Sequence, residues 1–192
     1  MRQRIAMEAA RILADSGLPD YQAAKRKAAQ HLGAPDTRNL PSNQEIEQAL
    51  VDYQRLFQAD SQPLRLRHLR TVALEAMRFL SAFRPRLVGP VLTGTANGSA
   101  EVQLHLYASA PEEVALFLME QEVPYKEGER RLRFGRDRYQ MLPAYRFVAG
   151  ETPVELVVFS EDGQRESPRS PVDGGPMQRA TIPALEALLA EG

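Results

Sequence analysis

Residues 87–107 constrain the fold more than any other part of the 192-residue chain. Leu87, Val88, Val91 and Leu92 form an aliphatic, β-branched run closed by Thr93-Gly94, which reads as a strand. Asn97-Gly98-Ser99 follows, residues that tolerate positive φ and suit a tight turn. Val102, Leu104 and Leu106 then alternate with Glu101, Gln103, His105 and Tyr107. A period of two sends one set to a core and the other to an open face, so Glu101 and Gln103 point the same way beside the turn. The same alternation gives His105 an outward place as a polar strand residue.

This layout resembles the signature hairpin of the polymerase-beta-type nucleotidyltransferases: a hydrophobic strand, Gly-Ser, three residues, Gly, a short turn, then Asp-x-Asp on the next strand. Gly89-Pro90 stands at Gly-Ser, Gly94 at the second glycine with Thr95 after it, Ala96 at the small residue, and Glu101-Val102-Gln103-Leu104 at Asp-Ile-Asp-Leu. The resemblance implies Gly89, Pro90, Gly94 and Thr95 as the nucleotide-binding segment. It implies Glu101 and Gln103 as two members of a catalytic trio, with the third acid on a later strand beside them. Glu155, flanked by Val154 and Leu156, fits that third place. In the family the trio holds magnesium, which bridges the triphosphate and activates the attacking hydroxyl; the carboxylates at hand for a metal here are Glu101 and Glu155. The chemistry departs from the family at three points. Pro90 has neither hydroxyl nor N–H, Glu101 carries an extra methylene, and Gln103 has no charge.

Composition bounds the class. A chain of this length buries enough surface to fold without a disulfide or a metal, and cysteine is absent, which removes thiolate catalysis and Cys-based zinc sites. No apolar run approaches the roughly 20 residues that cross a bilayer, and the first residues lack the apolar stretch of a signal peptide; the expected setting is the cytoplasm, with no membrane. Net charge is −1, but residues 1–90 carry +5 and the remainder −6. That asymmetry is too weak to demand nucleic acid.

Along the chain, Ile5, Ala9, Ile12 and Leu13 recur at helical spacing up to Asp15-Ser16-Gly17. Asp20 caps a second helix with Ala24, Ala28 and Ala29 inward and Lys25-Arg26-Lys27 outside. Ser42 or Asn43 caps a third, whose stripe is Ile46, Leu50, Tyr53 and Phe57. A fourth runs from Leu64 to about Ala82. Beyond residue 107, Pro111 opens a helix to about Glu122. Residues 129–134, 145–148 and 154–159 read as strands, the last two joined by the turn Ala149-Gly150-Glu151. Arg131, Arg133, Arg136 and Arg138 are available to meet phosphates if their strand borders a cleft. Residues 161–180, rich in Pro and Gly, are irregular, and Ile182, Leu185, Leu188 and Leu189 close the chain as a helix.

The resulting expectation is an α+β protein: an N-terminal helical bundle over 1–60, which resembles the helical part preceding such a domain in bacterial nucleotidyltransferase-like proteins, then a nucleotidyltransferase-like domain over 61–192 built on a small mixed β-sheet with helices. The expected function is that of a degenerate nucleotidyltransferase-fold protein, weakly active or inactive, binding a nucleotide or phosphorylated small molecule. Two alternatives stand beside it. One is an active magnesium-dependent enzyme using Glu101 and Glu155 on a small-molecule, tRNA or protein acceptor. The other is a nucleic-acid or protein interaction module, with nucleic acid the less favoured partner.

Overall fold

The computed structural model describes residues 1–16 and 20–192. The helix stop expected at Gly17 lies outside the described residues. Among those described, seven α-helices and a five-stranded mixed sheet make an α+β protein whose backbone divides into two compact units. No described helix is long and apolar enough to cross a membrane.

The first unit comprises residues 1–66, 95–100 and 171–174. Helices α1 (Arg2–Ser16), α2 (Tyr21–His31) and α3 (Asn43–Phe57) pack around one apolar cluster. That cluster takes Ile5, Ala9 and Ile12 from α1, Ala24 and Ala28 from α2, and Ile46 and Leu50 from α3. Alanine dominates the α1 and α2 contributions, which lets backbones approach closely at little cost in side-chain entropy. Asp20 accepts from the Gln22 N–H at 2.8 Å. Ser42 and Glu45 form a reciprocal capping box at the start of α3, which satisfies two otherwise orphaned donors. Lys25 departs from its expected place: it is buried, and desolvation lowers its pKa. A long aliphatic stem can line an apolar cluster while its head reaches the margin. Segment 95–100 is a turn in which Ser99 N–H donates to Asn97 Oδ1, and Asn97 Nδ2 donates to the Leu13 carbonyl at 2.7 Å.

The second unit comprises residues 67–94, 101–170 and 175–192. Its sheet runs β1-β2-β5-β4-β3, with β1 (Arg86–Val88), β2 (Val102–Tyr107), β3 (Lys126–Arg133), β4 (Tyr139–Ala149) and β5 (Thr152–Phe159). Only the β2–β5 pair is parallel; the other three pairs are antiparallel. Pleating places Val102, Leu104 and Leu106 with Val154, Leu156 and Val158 on one face, all buried. Helix α6 (Glu112–Glu120) lies on that face, because Tyr145, paired with Leu156, donates its hydroxyl to the Pro111 carbonyl. The other face presents Gln103, His105 and Tyr107 beside Glu155, Val157 and Phe159. An apolar cluster of Tyr107, Phe134, Ala144, Val157 and Phe159 closes one end of it. Arg179 bonds the Tyr107 hydroxyl at 2.6 Å and the Gln164 carbonyl, so part of segment 161–180 is tied to that end.

Two further expectations from the sequence are corrected. Val91 and Leu92 do not extend a strand: β1 stops at Val88, and Pro90–Thr93 is one helical turn, α5. Pro90 has φ preset for a first helical position, and Gly94 ends the turn in the left-handed conformation. Arg70 of α4 (Gln62–Phe79) then donates to the Val91 and Leu92 carbonyls that so short a helix leaves open. His105 is not an outward residue either. It is 2% exposed, its ring tilted against Phe159 at 4.6 Å under the apolar cluster that covers this end of the face.

Candidate functional site

Glu155 is the pivot of the site. It sits mid-strand on β5, paired in register with Gln103 of β2 on one side and Arg146 of β4 on the other. It is 2% exposed. An ionised carboxylate taken out of water needs compensating charge and hydrogen bonds, and the sheet supplies both. Arg130 Nε and Nη2 donate to Oε1 at 2.9 and 2.6 Å. Arg146 Nε and Nη2 donate to Oε2 at 3.0 and 2.6 Å. Both oxygens therefore carry two charge-assisted bonds each, which fills nearly all the acceptor capacity of a carboxylate.

Glu101, just before β2, joins the same network. Its Oε1 lies 3.3 Å from Arg146 Nε, so one guanidinium nitrogen stands between two carboxylates. Burial, and after it the charge of Glu155, raise the Glu101 carboxyl above its ordinary range, while Arg146 and Arg130 pull it back. The Arg146 guanidinium is correspondingly raised by its bonds to Glu155. A cleft of about 180 Å³ opens beside this network, with Lys126, Glu127, Gly128, Glu129, Ala144, Arg146 and Glu155 on its walls. Small residues at Gly128 and Ala144, which pair across β3 and β4, leave the space.

The segment from Gly89 to Thr95 is less unified. Gly89 has φ +75° and ψ −162°, a region essentially reserved for glycine. A Cβ there would lie 2.7 Å from Gln103 Oε1, so the Gln103 amide is laid against the Gly89 backbone. Pro90 and Gly94 begin and end α5. Thr95 belongs to the first unit, where its carbonyl accepts from Gln54 Nε2. The structure thus brings Glu101 and Glu155 onto one guanidinium, Gln103 alongside Glu155, and Gly89 against Gln103. Gly89→Ala is expected to cost about 1–3 kcal/mol from backbone strain. Urea unfolding of G89A beside G89A/Q103A checks it: strain persists in the double variant, whereas a simple side-chain clash would be relieved.

The arginines that sequence alternation offers to phosphates lie elsewhere. Arg131 stacks 4.0 Å over the Tyr139 ring, Arg138 pairs with Glu166, Arg133 falls with Arg131 on the face of β3 opposite Arg130, and Arg136 is exposed. Arg130 and Arg146 are the functional residues that sequence reasoning missed. The available signal was parity: Arg130 falls on the opposite face of β3 from Arg131 and Arg133, and an acid set in an apolar strand calls for a cation from a neighbouring strand.

Magnesium, which the resemblance implies, does not fit these donors. It requires hard oxygens at about 2.0–2.1 Å in octahedral geometry. Glu155 offers oxygens already saturated by guanidinium N–H groups, Gln103 is neutral, and Glu101 faces a fixed positive charge. Two carboxylates and two guanidiniums already balance. Among known proteins, no family model matches the chain, and neither curated proteins nor solved structures show a significant similarity to it.

Proposed function

We propose that this chain is a nucleotidyltransferase-like protein that binds a nucleotide or other phosphorylated ligand without transferring a nucleotidyl group. The observation that carries the reading is the pair of guanidiniums on Glu155. Supporting it, β2 and β5 are parallel neighbours with Gln103 directly beside Glu155, the relation expected of a third acid on a later strand. Lys126 and Arg146 stand on the cleft wall beside Glu127 and Glu129, and Arg146 keeps Nη1 outside its bonds to Glu155. Those donors suit phosphate oxygens, for which a fixed guanidinium is the stronger geometric match and a lysine the adaptable one. Transfer chemistry is what the site lacks, since developing charge on a leaving pyrophosphate needs cations free to meet it.

The test has two arms. Labelled nucleoside triphosphates incubated with the protein, magnesium or manganese, and mixed small-molecule, RNA and protein acceptors are expected to give no incorporation. A metal-dependent product that disappears in both E101Q and E155Q would overturn the reading. In the second arm, a thermal-shift panel of nucleotides and phosphorylated metabolites is expected to contain at least one stabilising compound. A panel with none removes the binding half of the proposal.

A further inference from the structure

The misfit between magnesium and these residues has a specific geometric cause. Arg146 Nε lies 3.3 Å from Glu101 Oε1 and 3.0 Å from Glu155 Oε2, bridging two carboxylates from two strands. Arg130 takes the remaining oxygen of Glu155 from the far strand of the sheet. A cation bridging paired carboxylates is what such an oxygen cluster requires to be stable, whatever its source. We infer that Arg146, assisted by Arg130, is this site's built-in cation, occupying the position a divalent ion would take between Glu101 and Glu155, so that the cleft neither needs nor admits one. This rests on the reading of the cleft given above and adds to it that ligand binding there is independent of divalent ions.

The geometry makes the inference reversible by substitution. Removing the Arg146 head leaves Glu101 Oε1 and Glu155 Oε2 facing one vacated position. Those are hard oxygen donors of the type that hold manganese or magnesium. Arg146 is more than half exposed along its side chain, so Arg146→Met can keep the aliphatic stem while deleting the charge. Arg130 remains on Oε1, which keeps Glu155 from being left wholly uncompensated.

Manganese titration of wild type, R146M and R146M/E101Q, followed by calorimetry and by melting temperature, tests this without any activity assay. The expected result is manganese affinity in R146M at least about tenfold tighter than in wild type, falling back to the wild-type value in R146M/E101Q. Equal affinity in wild type and a folded R146M overturns the inference, as does tight manganese binding to wild type that E155Q abolishes. If circular dichroism shows R146M unfolded, Arg146→Gln provides the second variant, and folding restored by manganese in either counts in favour. The outcomes separate from those of the proposed function. A wild type that binds a nucleotide only with magnesium present sinks this inference alone, whereas metal-dependent nucleotide incorporation sinks the parent reading.

Discussion

Glu155→Ala is expected to destabilise the protein by about 1–3 kcal/mol, the scale of losing charge-assisted hydrogen bonds to a buried carboxylate, since the arginines left behind are 36% and 57% exposed and partly solvated. The carboxylate is 2% exposed and receives four N–H bonds from two arginines. Without it, two partly solvated guanidiniums held close together by their strands lose their shared counter-ion and repel. Removing one arginine is milder, because the other keeps one oxygen paired: Arg130→Met should cost less than half as much. Arg78–Glu186 supplies the control, since both side chains are about half exposed. Exposed pairs of that kind contribute about 0–1 kcal/mol, and Glu186→Ala should barely move the midpoint. Urea unfolding of the four proteins, with the slope of the transition compared, measures the ordering. A loss in E155A no larger than in E186A would mean that Glu155 is not the electrostatic pivot described here.

What the sequence revealed, and what it hid, divides along the line between local and non-local chemistry. The α3 helix was legible from Ser42, Glu45 and the Ile46–Leu50 spacing because capping and amphipathicity are decided within a few residues. The β4–β5 hairpin was legible from alternation around Gly150, and Glu155 stood out as an acid in an apolar strand. Pro90–Thr93 is ambiguous in the sequence because an aliphatic run of that length suits a strand or a helical turn equally; the positive φ of Gly89 and the helix-starting φ of Pro90 decide it. Lys25 and His105 are buried despite their polarity, because packing of neighbouring elements covers both, and polarity in a sequence does not by itself signal exposure. Of the partners of Glu155, Arg146 follows from the hairpin register nine residues away, whereas Arg130 does not. Arg130 lies 25 residues away and reaches Glu155 only because the strand order is β5-β4-β3, a fact of register that no local pattern encodes.

His105 should make the protein sensitive to mild acid, and His105→Phe should remove that sensitivity. The ring is 2% exposed, its Nδ1 has no hydrogen-bond partner among the described residues, and it packs on Phe159. Burial first, and then the charges of Arg179 and Arg130, drive its pKa down to about 3. An unfolded histidine titrates near 6.5, so between about pH 6.5 and pH 3 the unfolded chain holds a proton that the folded chain refuses. Stability therefore falls as pH drops through that window, by about 1.4 kcal/mol per unit, reaching roughly 2 kcal/mol at pH 5 relative to neutrality. Above pH 6.5 both states hold a neutral ring and the effect vanishes. Other groups add to acid loss, notably Glu8, whose carboxyl is held at about 2 by Arg11 and by His31. Its contribution is present above its unfolded pKa and is lost as pH falls toward 2, in wild type and variant alike. The informative quantity is thus the difference between the two unfolding profiles measured from pH 4 to pH 8. H105F should gain on wild type steadily below pH 6.5, and at neutral pH it should be no less stable, since an orphaned buried nitrogen costs about 1–3 kcal/mol and the phenyl ring has none. Parallel profiles across that range would show that His105 takes up its proton in the folded protein, and that the cluster around Phe159 is open to water.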